Sequence, residues 1–417
     1  MPENFHIDMP EAVRNIIHTI EEHGFKAYAV GGCIRDSILG RNPDDWDITT
    51  SAVPSQIKTF FKRTVDTGIA HGTVTIMIDK TGYEVTTYRI DGEYEDGRHP
   101  KSVEFSDRLV DDLCRRDFTI NAMAYNDTDG FVDEFKGLDD LDTKIIRCVG
   151  EPELRFTEDA LRMMRAIRFS AQLGFTIDEA TWNAIKKLSP SISKISMERV
   201  HVELGKTLMS AHPDYVAQYS EAGLFAPILP VIDNALKSRY KRKILATLQH
   251  TPDNIYLRYA VLFITSKPDK EDKTLRALKL DNKTVNTVSK LVELSKMDIE
   301  ETEPAVRTAL NKYGRDFLPL WHELMMAVIQ ASEDITGISN PAKVKHLLTL
   351  KRLGTDILAR GDCFTIKDLD ISGNDLIEYG LQGHEIGETL KSLLDIVIEN
   401  PKLNDKATLI AMIEHIK

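Results

Sequence analysis

The chain has 417 residues, of which 42% are hydrophobic and 28% are charged, as in a globular protein that is too long for one ordinary domain. Its formal net charge of −12 argues against a protein that coats nucleic acid by charge alone, because phosphate binding relies on lysine and arginine. No apolar run could span a bilayer and residues 1–8 do not read as a signal peptide, so we expect a cytoplasmic protein without a membrane segment.

The residue pattern changes once along the chain. Between about residues 27 and 150, β-branched runs alternate with helical stretches and turns, and the predicted strands are 27–30, 47–50, 73–78, 83–89, 103–105 and 145–149. After Gly150 the strand signal almost vanishes, and apolar residues recur with a helical period to the C-terminus. We therefore predict an α+β head with a mixed β-sheet and helices, followed by an all-helical remainder.

Two adjacent glycines, Gly31 and Gly32, follow the first predicted strand and precede a helical stretch. Backbone amides in such a turn are free to hold phosphate groups, and Arg35, one turn into the helix, is placed to act as a cationic clamp. A glycine pair between a strand and a helix is more often a simple tight turn. The pattern alone therefore leaves phosphate binding open.

Asp45 and Asp47 lie on either side of Trp46 at the start of a predicted strand. The two-residue period of a strand puts both carboxylates on one face, where two hard anionic ligands suit Mg²⁺. In an acidic chain such a pair of aspartates more often lies on the surface without a binding role, but the glycine turn upstream favours a metal site. Glu84, flanked by apolar residues on another predicted strand, is either a third carboxylate of that site or a partner for a cation.

An arginine-rich run at residues 158–168 reads as an amphipathic helix. Its apolar residues share one face, whereas Asp159, Arg162 and Arg165 lie on the other, with Arg168 at the edge. Guanidinium and carboxylate groups can make bidentate contacts with the edge of a base. The alternative is an exposed helix with an ion pair between Asp159 and Arg162.

Several motifs together carry a resemblance to a known family. They are GGCIRDSILGRNPDDWDITTSA at 31–52, RRDFTINAMA at 115–124, EDALRMMRAIRF at 158–169, ISGNDL at 371–376 and GHEIG at 383–387. The head resembles that of the DNA polymerase β nucleotidyltransferase superfamily. The whole chain resembles the bacterial class II tRNA nucleotidyltransferases, or CCA-adding enzymes, which restore the 3′ CCA end of tRNA from CTP and ATP.

The resemblance implies roles for particular residues. Asp45 and Asp47 would bind Mg²⁺, which suits a two-metal phosphoryl transfer. Glu84 is the candidate third catalytic carboxylate from its place on a predicted strand. The residues that would contact the nucleotide are Gly32, Arg35, Arg116, Asp159, Arg162, Arg165 and Arg168. Among these, Asp159 and Arg162 would read the base, Arg116 would bind the triphosphate or sugar, and Asn121 is a further candidate for the sugar.

The resemblance also implies a division of labour along the chain. Residues 1–150 would form the catalytic head, 151–205 a neck that recognises the base, and 206–300 and 301–417 a body and tail that bind the tRNA acceptor arm. The segment 89–100 matches the flexible loop that such enzymes need to add the final A. We therefore favour complete CCA addition over CC-adding, A-adding and poly(A)-polymerase activity. An inactive RNA-binding protein is the alternative from another class.

Overall fold

The computed structural model describes residues 6–92, 102–266 and 270–416. The chain forms two compact units, Met1–Asp233 and Asn234–Lys417. This division is coarser than the predicted boundaries at residues 150, 205 and 300, which remain a prediction. Residues 93–101, which hold most of the segment that matches the flexible loop, lie outside the described residues.

In the parts of the chain that the structure describes, all strands belong to the first unit. They are β1 Ala27–Val30, β2 Ile48–Thr50, β3 Thr64–Gly68, β4 Thr73–Ile78, β5 Thr81–Thr87, β6 Arg89–Asp91, β7 Val103–Phe105, β8 Ala124–Asn126, β9 Gly130–Val132, β10 Ile145–Ile146 and β11 Thr176–Ile177. Seven of them form one sheet in the order β3-β4-β5-β2-β1-β8-β9. The β2–β5 pair is parallel and the others are antiparallel, so the predicted mixed sheet is confirmed.

Three strands of this sheet escaped the sequence pattern. Strand β3 lies at the sheet edge and is polar and mostly exposed, so its sequence does not alternate between apolar and polar residues. Strands β8 and β9 have only three residues each, which is too short to show such an alternation. The part after Gly150 is also not purely helical, because β11 pairs in parallel with β10. Strands β6 and β7 form a separate antiparallel ribbon.

Helices cover the sheet and continue beyond it in the first unit. They are α1 Glu11–Glu22, α2 Gly32–Ile38, α3 Pro54–Phe60, α4 Leu109–Cys114, α5 Gly137–Asp142, α6 Pro152–Glu158, α7 Leu161–Leu173, α8 Glu179–Leu188, α9 Met197–Leu208 and α10 Val216–Glu221, with α11 Pro230–Lys237 at the unit boundary. Helix α1 packs on β1, which is buried throughout, through apolar residues at helical spacing.

Helix α7 also packs beside the head. The ring of Phe169 on α7 meets the ring of Phe118 edge-on, with their centroids 5.7 Å apart. Phe118 is fully buried and lies within the motif at 115–124. The arginine-rich run is therefore held directly against the motif residues of the head.

Among the residues that the structure describes, the second unit contains helices joined by turns and no strand. Its helices are α12 Lys241–His250, α13 Ile255–Phe263, α14 Lys270–Ala277, α15 Asn282–Leu294, α16 Glu303–Tyr313, α17 Phe317–Thr336, α18 Pro341–Arg360, α19 Gly373–Glu378, α20 His384–Glu399 and α21 Lys406–Ile416. The motif residues at 371–387 pack into an apolar core with α20 and α21, centred on Leu376, Leu393 and Val397. Of the helices described, none combines the length and the apolar character needed to cross a membrane.

Candidate active site

The glycine turn after β1 brings two motifs together. Gly31 has φ +87°, a conformation that other residues rarely adopt, and its N–H donates to the carbonyl of Met123 at 3.1 Å. A Cβ atom on Gly31 would lie 3.0 Å from a terminal guanidinium nitrogen of Arg116. Glycine is therefore needed both for the backbone turn and for the close approach of Arg116.

The two aspartates lie next to this turn, immediately before β2. The N–H of Val30 donates to the carbonyl of Asp47 at 3.0 Å, which continues the pairing of β1 with β2. Asp45 and Asp47 are exposed, whereas Trp46 between them is 9% exposed. Strand β2 begins at Ile48 rather than at the predicted residue 47. The predicted alternation of exposed and buried side chains nevertheless extends back to Asp45.

Strand pairing brings Glu84 to the same place. Strands β2 and β5 are parallel, with Ile48 opposite Val85, so one residue earlier Asp47 comes beside Glu84. Directly opposed residues of neighbouring strands point to the same face of the sheet. Glu84 is exposed, but partial desolvation by neighbouring protein atoms raises its pKa, and the charges of Asp47 and Asp45 raise it further. Glu84, the third carboxylate proposed from the sequence, therefore lies close enough to Asp45 and Asp47 to interact with them electrostatically.

Asp47 lies in a field of opposing charges. Although the side chain of Asp47 is exposed, nearby protein atoms partly desolvate its carboxylate and raise its pKa, whereas Arg116 lowers the pKa and Asp45 raises it. Among the described residues, no group of three or more histidine, cysteine, aspartate or glutamate side chains is arranged to hold a metal unaided. The site thus offers adjacent carboxylates rather than a complete protein cage.

Arg35 is held rigidly at the start of α2. Its guanidinium donates to the carboxylate of Asp36 at 3.0 and 2.7 Å and to the side-chain oxygen of Asn121 at 2.6 Å. It also lies over the ring of Phe169, 5.0 Å from the centroid. The residue proposed as a phosphate clamp is only 8% exposed, so its orientation is set by the head and by α7 together.

Asp117, which the sequence analysis did not single out, links these elements. Its carboxylate accepts hydrogen bonds from Asn121 at 3.0 Å, from the N–H of Phe118 at 2.9 Å and from Arg165 at 2.7 Å. Burial favours a higher pKa for Asp117, but Arg165 and the hydrogen bonds outweigh it and lower the pKa. A chain of contacts therefore runs from Arg35 through Asn121 and Asp117 to α7.

The arginine-rich run is not one continuous helix. Helix α6 ends at Glu158 and α7 begins at Leu161, and Asp159 between them has an extended backbone with φ −144° and ψ 104°. Its carboxylate accepts the N–H of Leu161 at 3.0 Å. The helical projection is therefore wrong at Asp159, which belongs to the break between two helices and to neither polar face.

The structure also changes the expected ion pair of Asp159. The carboxylate accepts from two guanidinium nitrogens of Arg199 on α9, at 3.2 and 2.7 Å. Arg162 instead donates to Glu158 at 2.5 Å and to the backbone carbonyl of Arg115 at 3.1 Å. Arg199 follows α9's N-terminus by only two residues, and no local pattern marked it as a partner for Asp159.

Arg168 lies deeper than the helical projection suggests. It donates to Glu203 on α9 at 2.6 Å and to Gln172 at 2.8 Å. Its guanidinium stacks on Phe169, 3.8 Å from the ring centroid, and the residue is only 6% exposed. Arg165 is more accessible than Arg168, and it pairs with Asp117 of the head. The positive charges of α7 are thus paired with acids on α6, on α9 and in the head.

Comparisons with known proteins agree with this architecture. Residues 27–147 match the Poly A polymerase head domain family, 174–236 match the family described as the probable RNA and SrmB-binding site of polymerase A, and 253–413 match tRNA nucleotidyltransferase domain 2. The CCA-adding enzyme of Limosilactobacillus fermentum is 37% identical over 407 residues, covering 96% of this chain and 95% of that protein.

Solved structures extend the comparison to three dimensions. The Bacillus stearothermophilus CCA-adding enzyme in complex with CTP matches with a TM-score of 0.76 and 32% identity, over 97% of this chain and 96% of that one. The Thermotoga maritima CCA-adding enzyme complexed with tRNA shares the fold, with a TM-score of 0.61 and 21% identity over 99% of this chain and 97% of that one. With the α+β head, the carboxylates and the helical remainder in place, the chain belongs to the family of CCA-adding enzymes, the tRNA nucleotidyltransferases.

Proposed function

We propose that this chain restores the complete CCA sequence at the 3′ end of tRNA from CTP and ATP, with release of pyrophosphate. The observation that carries the proposal is the pairing of β2 with β5, which sets Asp47 beside Glu84 and next to Asp45. Arg116 approaches the same place across Gly31. Acids for a metal and a cation for phosphates thus lie together in one unit, as nucleotidyl transfer requires.

Enzymes of this family are metal-dependent, and we propose Mg²⁺ as the metal and Asp45 and Asp47 as its ligands. The residues fit the ion: partial desolvation is the main cause that raises the pKa of Glu84 and of Asp47, repulsion by neighbouring aspartates adds to it, and a divalent cation would offset both effects. Mg²⁺ usually binds through one or two carboxylates and completes its shell with water and substrate phosphates. When bound, it would make a 3′-hydroxyl more acidic and neutralise charge on the triphosphate.

Residues of the glycine turn and of the motif at 115–124 would hold the triphosphate and sugar. Arg116 donates to Asp112 at 3.0 Å from one terminal nitrogen, and its other terminal nitrogen lies close to Gly31, where we propose that it meets the phosphates. Arg35 is tied to Asp36 and Asn121, so we propose that it supplies a fixed positive field at the phosphates.

Asp159 and Arg162 would select the base. A carboxylate has about four acceptor sites, so Asp159 can keep its contacts with Arg199 and Leu161 and still accept from the amino group of cytosine or adenine. Arg162 would donate to the ring nitrogen or carbonyl of the same edge. We propose that Arg165 and Arg168 support this site electrostatically, since both are already paired with acids.

The helical part of the chain would hold the RNA. We propose that the neck at 151–205 recognises the base and that the body and tail at 206–300 and 301–417 bind the tRNA acceptor arm through its shape. Relatives that cover nearly the whole chain are named CCA-adding enzymes, which supports complete addition over the CC-only, A-only and poly(A) alternatives. Because tRNA and nucleoside triphosphates are its substrates, we place the enzyme in the cytoplasm.

The test uses purified protein, Mg²⁺ and three tRNA transcripts that end before CCA, after one C and after CC. CTP and ATP are supplied separately and together, and products are resolved to single nucleotides. We expect restoration of CCA on all three transcripts. Addition of A only to the CC end, of C residues only, or of a long A tail would each replace the proposal with the corresponding specialised activity. No addition, with tRNA still bound, would identify an inactive RNA-binding protein.

A further inference from the structure

A cavity of about 370 Å³ lies wholly within the second unit, among helices α12, α17 and α18 and the segment that joins α15 to α16. Its volume falls within the roughly 300–1,000 Å³ that small-molecule sites occupy. It is distinct from every residue assigned above to nucleotide or metal binding. Such a cavity raises the question of which ligand its lining would accept.

The lining is apolar and aromatic in its interior. Trp321 of α17 lines the cavity with only 2% of its surface exposed, and its indole N–H has no hydrogen-bond partner in the part of the chain that the structure describes. That nitrogen is itself buried, so Trp321 contributes apolar surface to the cavity rather than a donor. At the mouth, Ile338 is 73% exposed and Met297 is 43% exposed, so apolar surface there remains uncovered. This lining suits a flat apolar body.

The charged groups of the lining favour an anion. Lys243 of α12 and Lys343 of α18 line the cavity, and neither has an ion-pair partner within the described residues. His346 also lines the cavity, but it already has acidic partners: its ring contacts Glu301 at 2.8 Å and lies 3.9 Å from Asp298. Asp298 is the acidic residue among the described residues of the lining. The two lysines thus remain as cations for a ligand.

We propose that this cavity binds a small aromatic molecule with a single anionic group. Its ring system would lie against Trp321 and the neighbouring apolar side chains, and its anionic group would lie near Lys243 and Lys343. The amphipathic lining matches the usual design of a ligand pocket, in which apolar walls supply contact area and few polar groups fix the orientation. This site is independent of the proposed transfer reaction.

The experiment titrates the full chain with anilinonaphthalene sulfonate, an aromatic anion whose fluorescence rises in apolar surroundings. We expect saturable binding to one site. In the double variant Lys243→Ala/Lys343→Ala, the dissociation constant should rise about tenfold or more, because charge-assisted contacts are lost. Lys345→Ala is the matched control: it removes the same charge from α18 at an exposed position outside the cavity lining, and its binding should be unchanged.

A second variant tests the cavity without altering charge. Val328→Trp, on α17, should fill the space and abolish binding, while circular dichroism and the melting temperature confirm that the fold persists. Equal affinity in every variant, or no saturable binding, would overturn the proposal. Displacement of the probe by tRNA would also overturn it, because the surface would then be an RNA contact.

Discussion

Arg199 offers the sharpest test of how Asp159, one of the two residues proposed to read the base, is held. Arg199→Ala removes two hydrogen bonds to the carboxylate of Asp159, at 3.2 and 2.7 Å, and among the described residues it leaves that carboxylate the N–H of Leu161 as its donor. Hydrogen bonds to charged groups contribute about 1.5–3 kcal/mol. Because both side chains keep some exposure, solvent screening reduces this, and we expect a loss of about 1–2 kcal/mol in the free energy of unfolding.

The functional effect should exceed the loss of stability. Misplacement of a substrate-positioning group by about 1 Å can lower the rate by about a hundredfold, so kcat/KM for CTP and ATP should fall by about ten- to a hundredfold in Arg199→Ala. Discrimination against UTP and GTP should fall as well, by about tenfold. Without Arg199 the carboxylate of Asp159 is no longer fixed in position, so it distinguishes less well between the hydrogen-bonding edges of correct and incorrect bases. A purely structural role for Arg199 would not change this ratio.

The assay measures single-nucleotide incorporation on a tRNA that ends before CCA, with CTP and UTP compared under the same conditions. Arg199→Lys should recover part of the discrimination, since an ammonium can replace one of the two contacts. Lys206→Ala, an exposed change on the same helix, is the matched control. Unaltered kcat/KM and unaltered discrimination in Arg199→Ala would refute the argument that Arg199 positions Asp159.

Three further predictions follow from the head. Asp47→Asn should abolish transfer while tRNA still binds in a filter assay, and normal turnover would remove Asp47 from the metal site. Gly31→Ala should destabilise the first unit by about 1–3 kcal/mol in a denaturant titration, because φ is +87° and Arg116 lies close, and no loss would contradict the turn argument. Asp117 has a lowered pKa, so its ion pair with Arg165 stabilises the fold above the usual carboxylate pKa of about 3.9 and is lost as pH falls further. The stability gap between the wild type and Asp117→Asn should therefore be widest near neutral pH and shrink towards pH 3, and a constant gap would exclude this linkage.

The sequence predicted the broad architecture because the signals are local. Period-2 alternation and glycine turns marked most strands of the head, and the helical period marked almost everything after Gly150. The sequence analysis missed β3 because that strand is polar and exposed and therefore has no apolar face to produce a pattern. It also missed β11, whose two residues are too few to establish any period.

The carboxylates of the candidate site were also predictable from local sequence signals, whereas the contacts between them were not. Asp45 and Asp47 could be paired from their spacing, and Glu84 from its isolation on an apolar strand, but only the β2–β5 register places Glu84 beside Asp47. The helical projection failed at Asp159, because its own carboxylate accepts the first N–H of α7 and the chain breaks there. Local periodicity cannot report such a break when the flanking residues are all good helix formers.

The sequence by itself determined which residue types occur at which spacing, and therefore the α+β head, the helical remainder and the chemical character of the site. The tertiary structure alone decided the partners: Arg199 for Asp159, Glu203 for Arg168, and Asp117 for Arg165. These pairs are separated by 35 to 48 residues along the chain. A repeating pattern reports which face of an element is apolar, whereas a pairing across such distances depends on how whole elements pack.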